Sequence, residues 1–366
     1  MKTKIILVGG FLGAGKTTLL GEVARKLSQM GKQIGLITND QASELVDTVF
    51  LEHIDTAVLE VSGSCFCCNF QGFTDAIAFI NDKEAMDVII AEPVGSCTDL
   101  SATILQPLKD KFTESLSIAP LSVLVDPAQL TDILDGKMSG LHMSAVYILK
   151  KQLEEADLIV INKTDLLNPE AVATLKKRTA EEWPWAKIYA VSAKTGEGLE
   201  TWLNEVMQCS EAGIHLAEVD YDVYAEGEAV LGWLNTTVKL QSKLANWDSF
   251  AENLLKALNR RFKELNATIG HVKLLIKTGN CFVIGNITGS QNSLNVRGSA
   301  GEGKEAVMTL NARAQMEPDT LKAIVLEEIS KAGGNNIISE FVAVKCLKPG
   351  RPNPTYRYDH IVVQDS

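Results

Sequence analysis

Gly10-Phe11-Leu12-Gly13-Ala14-Gly15-Lys16-Thr17 fits the pattern GxxxxGK followed by Ser or Thr without a mismatch, and no other stretch constrains the fold as strongly. An apolar run, Lys4 to Val8, leads into it and a helical pattern leaves it. That order predicts a tight loop between a buried strand and a helix N-terminus. The glycines let the backbone turn its N–H groups onto phosphate oxygens, Lys16 brings positive charge to the β and γ oxygens, and Thr17 offers a hydroxyl to Mg²⁺. Gly10, Gly13, Ala14, Gly15 and Thr18 belong to the same expected cradle. A chance glycine-rich turn would not need this strand and helix around it.

To about Cys209 the chain alternates short β-rich runs with helical stretches, which predicts parallel strands joined by helical crossovers. The expected strands are Lys4–Val8, Gln33–Thr38, Ala57–Val61, Asp87–Ala91, Ser122–Val125, Asp157–Ile161 and Lys187–Val191. The expected fold class is α/β, a doubly wound, mostly parallel P-loop NTPase sheet with a smaller C-terminal α+β domain. The pattern breaks between Ser210 and Asp222, giving expected domains of residues 1–212 and 222–366, the second a client or regulatory domain. Its strands are expected at Ala229–Leu240, Val272–Lys277, Phe282–Ile287 and Ala306–Gln315, with helices at Trp247–Leu265 and after Pro318. Pro318 and the Gly333-Gly334 pair act as start and stop signals. The proline-containing tail, Lys348 to Pro354, reads as extended loop.

Asn162-Lys163-Thr164-Asp165 closes another apolar strand and matches NKxD. The carboxylate of Asp165 can accept hydrogen bonds from N1–H and the 2-amino group of guanine, a donor pair that adenine lacks. Ser192-Ala193-Lys194, after the next strand, supplies a companion loop beside the base. Asn and Asp also cap helices, but that role does not call for the order P-loop, NKxD, SAK. Between these motifs, Val88 to Gly95 is an apolar strand ending in Glu92, with glycine three residues on. Glu92 is placed to reach Mg²⁺ through water, and Gly95 can bring its backbone N–H to a γ-phosphate, so this is an expected switch segment. Asn39 and Asp40 offer a second acidic contact, with Glu44 and Asp47 nearby; a helix cap or surface charge explains these acids equally well. Lys16, Asp40 and Glu92 are the candidate catalytic residues. Ser96 follows Gly95 where faster GTPases can place a water-orienting Gln, and no arginine finger is evident, so intrinsic hydrolysis is expected at ~10⁻³ per second or less.

Three of the seven cysteines crowd into four positions as Cys65, Cys67 and Cys68, after Ser62-Gly63-Ser64. Thiolates this close repel one another unless a cation neutralises them, and soft or borderline ions such as Zn²⁺ or Cu⁺ do so well. Zn²⁺ is expected first, with Co²⁺ or Ni²⁺ as alternatives. Three ligands leave one position open, and Cys97, two residues after Gly95, is a candidate for it. Buried free cysteines or a redox pair are the other readings. Cys209, Cys281 and Cys346 are expected to be structural, and the scattered His53, His142, His215, His271 and His360 are expected at the surface or internally satisfied.

Hydrophobic residues at 46% and charged residues at 22% exclude a disordered chain. A net charge of -11 argues against nucleic acid as a partner, and the basic run Lys176 to Arg178 reads as a solvated helix face. The first apolar run is too short for a signal or a membrane span, so a cytoplasmic location and no membrane partner are expected. The crowded, odd-numbered cysteines fit a reducing compartment.

Over its first 210 residues or so the chain resembles the CobW-like metallochaperone GTPases, relatives of the nickel-protein maturation factors UreG and HypB. The resemblance rests on Gly10 to Leu20, the CxCC motif at Cys65 to Cys68, the ExxG at Glu92 to Gly95 and the NKTD at Asn162 to Asp165. It implies GTP and GDP as ligands, metal on the CxCC cysteines, phosphates and Mg²⁺ at Lys16 and Thr17, and guanine at Asp165. It further implies a client that is a metal enzyme or corrinoid-related protein, with a GTP-dependent homodimer as a candidate assembly. The chain departs from the family at Asn39-Asp40-Gln41-Ala42-Ser43, which looks like the UreG and HypB version, and it has no His-rich tract. Two functions follow: a GTP-hydrolysing metallochaperone, or a GTP-dependent switch or adaptor that gates a cobalamin or other metal enzyme by protein contact.

Overall fold

Strands that are apolar on both faces dominate the first half of the chain, and they pair in parallel. The computed structural model describes residues 2–40, 46, 57–138, 140–288 and 293–363. Strands β1 (Thr3–Gly10), β2 (Ile34–Asp40), β3 (Ala57–Ser62), β4 (Val88–Glu92), β5 (Leu116–Ile118), β6 (Ser122–Val125), β7 (Leu158–Ile161) and β8 (Lys187–Ala190) make one sheet. Its order is β3-β2-β4-β1-β6-β7-β8, with β5 beside the start of β1. β2, β4, β6 and β7 are buried throughout, as strands covered on both faces should be. The helices are α1 (Lys16–Gln29), α2 (Phe70–Lys83), α3 (Gln106–Lys111), α4 (Pro127–Leu134), α5 (Met143–Glu154), α6 (Pro169–Glu182), α7 (Leu199–Gln208) and α8 (Tyr221–Ala229). One face packs Leu19, Leu20, Val23 and Trp202 from α1 and α7; the other packs Phe73, Ile77, Ile148 and Leu149 from α2 and α5. Each such side chain contributes roughly 1.5–3 kcal/mol. The strands expected here are present within two residues at either end, and β5 is an addition too short to show periodicity.

The second sheet is antiparallel: β9 (Gly232–Asn246), β10 (Ile269–Thr278), β11 (Cys281–Thr288), β12 (Ser293–Ser299), β13 (Glu302–Ala314) and β14 (Ile337–Leu347), in the order β12-β11-β10-β13-β9-β14. Helices α9 (Trp247–Glu264) and α10 (Pro318–Gly333) pack on its apolar face, with Phe250, Leu254 and Val325 against Val272, Leu274 and Leu310. The strand expected from Ala229 starts instead at Gly232, and Tyr221–Ala229 is helix because Asp220 caps it, accepting from Asp222 N at 2.9 Å and Val223 N at 3.2 Å. β12 and β14 were not expected. β12 mixes polar residues with only two large apolar ones, and β14 is an edge strand whose residues alternate between half-buried and exposed.

α8 lies against α5 of the first layer, where a Cβ on Gly227 would fall 2.5 Å from Ser144 O. The tail also returns to the first sheet's helices: Tyr358 N bonds to Ala102 O at 3.0 Å and Val362 N to Gln106 Oε1 at 2.8 Å. Among the described residues, no helix is long and apolar enough to cross a membrane.

Candidate functional site

Parallel pairing brings the carboxyl ends of β1, β2, β3, β4, β7 and β8 to one edge of the sheet, where α/β proteins bind their ligands. The loop after β1 turns through Gly13 and Gly15, both at positive φ, and a Cβ on Gly15 would stand 2.5 Å from Asn162 Nδ2. Glycine there lets the loop after β1 lie against the Asn162 loop. Lys16 Nζ reaches Gly10 O at 2.7 Å and lies 3.9 Å from Glu92 Oε1. Thr17 Oγ1 is 3.1 Å from Glu92 Oε2, so a hydroxyl and a carboxylate converge as hard-oxygen ligands for Mg²⁺ should. Thr18 follows in the first turn of α1. Gly95 approaches the same place: a Cβ there would fall 2.7 Å from Leu12 Cδ2 and 3.2 Å from Lys16 Nζ.

Asn162 joins three loops, donating to Ala14 O at 2.8 Å and accepting from Ala193 N at 3.0 Å. Lys163 adopts a left-handed conformation and pairs with Asp126 at 2.7 Å. Asp165 accepts from Ser192 Oγ at 2.7 Å, and Lys194 Nζ lies 3.8 Å away. The NKxD and SAK residues are therefore neighbours of the phosphate loop around a single cavity of about 310 Å³.

Cys65, Cys67 and Cys68 follow β3 in one tight turn, with Cys68 N and Asn69 N both bonding to Cys65 O at 3.1 and 2.9 Å. Their sulfurs lie within 4.8 Å of one another, with Cys65–Cys67 at 3.1 Å and Cys67–Cys68 at 3.8 Å. A tetrahedral zinc thiolate site sets its sulfurs ~3.8 Å apart, so the trio fits such an ion with small adjustments. Cys97 is buried beside Cys65 and Cys67, but its sulfur is not among the three that lie within 4.8 Å of one another. The neighbouring thiols drive Cys65 toward thiolate, while sharing a proton with Cys65, together with burial, holds Cys67 and Cys97 well above the ordinary thiol range. Cys68, beside the same thiolate, is pushed up to about 11.

Residues whose supporting roles the motifs did not indicate surround this centre, and no motif names Gln152 or Glu228. Asn39, at the end of β2, donates to Val61 O and Ser64 O at 2.8 Å each and accepts from Phe66 N at 2.9 Å, fixing the cysteine turn. Gln152 of α5 donates to Gly95 O at 3.1 Å and Cys97 O at 2.7 Å. Ser96 donates to Glu228 Oε1 at 2.6 Å, and burial pushes the Glu228 carboxyl up to about 8. The tail crosses the cysteines: Asn353 N meets Cys68 Sγ at 3.2 Å and Thr355 N meets Cys67 O at 2.8 Å. Cys281 is exposed, against the expectation of a structural residue, because it begins β11 at a hairpin turn.

The opposite wall of the cavity is the polar face of the second sheet. β alternation puts His271 and Lys273 of β10, Asn311 and Arg313 of β13 and Arg297 of β12 on that face. Arg313 pairs with Asp40 at 2.5 Å and also donates to Leu234 O and Asn235 Oδ1 at 3.1 and 2.9 Å. His271, expected at the surface or internally satisfied, is buried facing the cavity, and burial with the nearby Lys273, Arg313 and Lys16 charges holds it well below the usual imidazole range. Glu44, Asp47 and His53 lie outside the described residues.

A phosphate loop, a carboxylate at the end of a neighbouring strand and an NKxD loop around one cavity define a P-loop nucleotide-binding protein. Residues 4–189 match the family model described as "CobW/HypB/UreG, nucleotide-binding domain", and the chain belongs to that family. It is 27% identical over 225 residues to a zinc chaperone CobW of Pseudomonas aeruginosa, covering 54% of this chain and 58% of that protein. To a zinc-regulated GTPase metalloprotein activator 1 of Dictyostelium discoideum it is 26% identical over 204 residues, covering 48% and 42%. The chain thus spans about half the length of these relatives. Helicobacter pylori HypB in complex with nickel aligns with a TM-score of 0.42 at 17% identity, covering 60% of this chain and 91% of that one.

Proposed function

We propose that the chain is a GTP-hydrolysing metallochaperone that carries a transition-metal ion on Cys65, Cys67 and Cys68, with Cys97 as the fourth ligand, and that it hands the ion to a client metalloprotein in step with its nucleotide cycle. The observation that carries this is the short segment from Gly95 to Cys97. Its first residue packs against Lys16, its last residue's thiol is buried beside Cys65 and Cys67, and Gln152 holds both carbonyls. Movement of Gly95 toward a γ-phosphate therefore moves Cys97 against the other thiols.

Asp165 reads guanine, and Lys16 with the loop backbone binds the phosphates. Thr17 and Glu92 would hold Mg²⁺, which when bound neutralises charge on the β and γ oxygens. Asp40 stays a candidate for ordering water; its pairing with Arg313 keeps a carboxylate at the cavity wall. The Ser96 hydroxyl is committed to Glu228, which supports slow hydrolysis without a partner.

Zn²⁺ is the ion to test first, because two relatives are named for zinc. A cytoplasmic client exchanging the ion by protein contact completes this reading. The competing reading is an adaptor with a static ion, favoured by the burial of Cys65 and Cys67 at 3% and 2% exposure. The two separate when Zn²⁺, Co²⁺ and Ni²⁺ are titrated into protein loaded with GDP or a non-hydrolysable GTP analogue. Linkage requires that nucleotide and metal shift one another's affinity by one common factor. Equal metal affinity in both nucleotide states overturns the coupling, and unchanged binding in Cys67→Ser overturns the site.

A further inference from the structure

Every motif of the nucleotide site comes from the first sheet, yet the cavity has a second wall. There, Lys273 Nζ lies 3.3 Å from Thr17 Oγ1 and Arg297 Nη2 lies 3.1 Å from Thr18 Oγ1. Thr17 and Thr18 belong to the first turn of α1, where backbone N–H groups lack intrahelical partners and the helix dipole is positive. Cations are disfavoured at such a position. Here Lys16, Lys273 and Arg297 all converge on it, and Glu92 is the acid that meets Thr17. The neighbouring His271 registers the same positive field, since the Lys273 and Lys16 charges add to burial in suppressing its protonation. Lys16, Lys273 and Arg297 all line the cavity at its phosphate-loop end, where a multiply charged anion would meet each of them.

We propose that Lys273 and Arg297 contact the nucleotide's phosphates, so that the second sheet supplies in cis half of the triphosphate site. The proposal rests on the reading that this cavity takes GTP. β alternation is what makes it feasible: Val272, Leu274 and Ile276 face α9 and α10, which leaves Lys273 pointing across the cavity. Arg297 stands on β12 opposite Ile284 of β11, whose register with Leu275 fixes it two strands away from Lys273 on the same face. The second sheet is held against the phosphate loop by the same charges that the nucleotide neutralises, so nucleotide binding and domain contact reinforce one another.

The test compares Lys273→Met, Arg297→Gln and Arg297→Lys with the wild-type chain and with Lys16→Ala, using GTP, GDP and GMP as competitors of a fluorescent GDP in Mg²⁺ buffer. Thermal unfolding checks that each variant is folded. Lys273→Met and Arg297→Gln are expected to weaken GTP about tenfold or more, GDP less and GMP least, with Arg297→Lys recovering part of the loss. If these residues merely glue the domains together, all three nucleotides weaken by the same factor. That equal loss, or no loss while Lys16→Ala abolishes binding, overturns the assignment and leaves the GTP-binding reading intact. Failure of the wild-type chain to bind any guanine nucleotide overturns both together. Should Arg297→Gln not fold, Lys273→Met and Arg297→Lys carry the same comparison.

Discussion

The two sheets use their residues in opposite ways. In the parallel sheet both faces are buried under helices, so the groups with chemistry sit at the strand ends, in loops where local sequence dictates local geometry. In the antiparallel sheet one face is apolar and the other polar, and the polar face itself lines the cavity. Chemistry at a loop tip leaves a contiguous motif, whereas chemistry on a strand face leaves residues spaced by two and scattered over several strands. The most powerful way to break this contrast is at Asp165. Asp165→Asn replaces an acceptor by a donor at the purine edge, and preference should shift from guanine to xanthine nucleotides by on the order of 10⁴. Competition between GTP and XTP measures it, and a variant that still prefers GTP would show that the loop does not read the base.

The second test is at the join. Arg313 of β13 and Asp40 of β2 are both buried and form an ion pair across the two sheets, with the guanidinium over the Trp233 ring at 4.3 Å. Removing one member of a buried ion pair strips the other of a close charged partner, so Arg313→Ala should cost ~3–5 kcal/mol in urea unfolding. Asp40→Ala with Arg313→Ala should cost less than the sum of the two single changes. Additive losses would mean that the sheets are not coupled through this pair.

This contrast also explains what could be read in the sequence. The phosphate loop, NKxD and CxCC were legible because each is a run of neighbours whose spacing is fixed by the backbone. Lys273, Arg297 and Arg313 were not, although His271-Val272-Lys273-Leu274 and Asn311-Ala312-Arg313-Ala314 do alternate. Polar residues at period two ordinarily face water, and only tertiary packing decides that these face a cavity. The supporting roles of Asn39, named only as a contact beside Asp40, and of Gln152 were illegible for another reason: a hydrogen bond to a distant carbonyl leaves no local pattern. The edge strand β14, half exposed, gave too weak an alternation, while β1 and β4 stood out as apolar runs.

The third prediction concerns pH. Glu155, at the end of α5, accepts from Thr98 Oγ1 at 3.0 Å and Ser101 N at 2.9 Å, and burial, with the Asp99 charge adding to it, pushes its pKa up to about 8. The folded value lies above the unfolded one, so from about pH 4 to pH 8 the folded chain holds a proton that the unfolded chain has released. Stability from this group is full at the acid end, falls as pH rises through that window and levels off above it. Glu155→Gln keeps the shape without the charge, and should be more stable than the wild type at pH 8.5 by ~2–3 kcal/mol while differing little near pH 5. Urea midpoints at the two pH values measure this; parallel pH dependences would mean that the carboxyl is ionised when folded.

The smallest effect is expected at Asn69, and it asks whether the cysteine turn is held by strand ends or by the helix that follows. Asn69 caps α2, accepting from Gly72 N at 3.1 Å, and Gly72 is needed because a Cβ there would stand 2.4 Å from Asn69 Nδ2. Loss of such a cap costs ~1 kcal/mol, which Asn69→Ala should show in urea unfolding. The turn itself is closed by backbone bonds to Cys65 O and anchored by the Asn39 side chain through Val61, Ser64 and Phe66. Metal affinity should therefore fall by less than about fivefold in Asn69→Ala, the cap being worth ~1 kcal/mol shared with the rest of the helix. Asn39→Ala, which removes three hydrogen bonds to the turn, should lower it further. The reverse ranking, with Asn69→Ala losing the metal and Asn39→Ala keeping it, would place the support in α2 and remove the strand end from the design of the site.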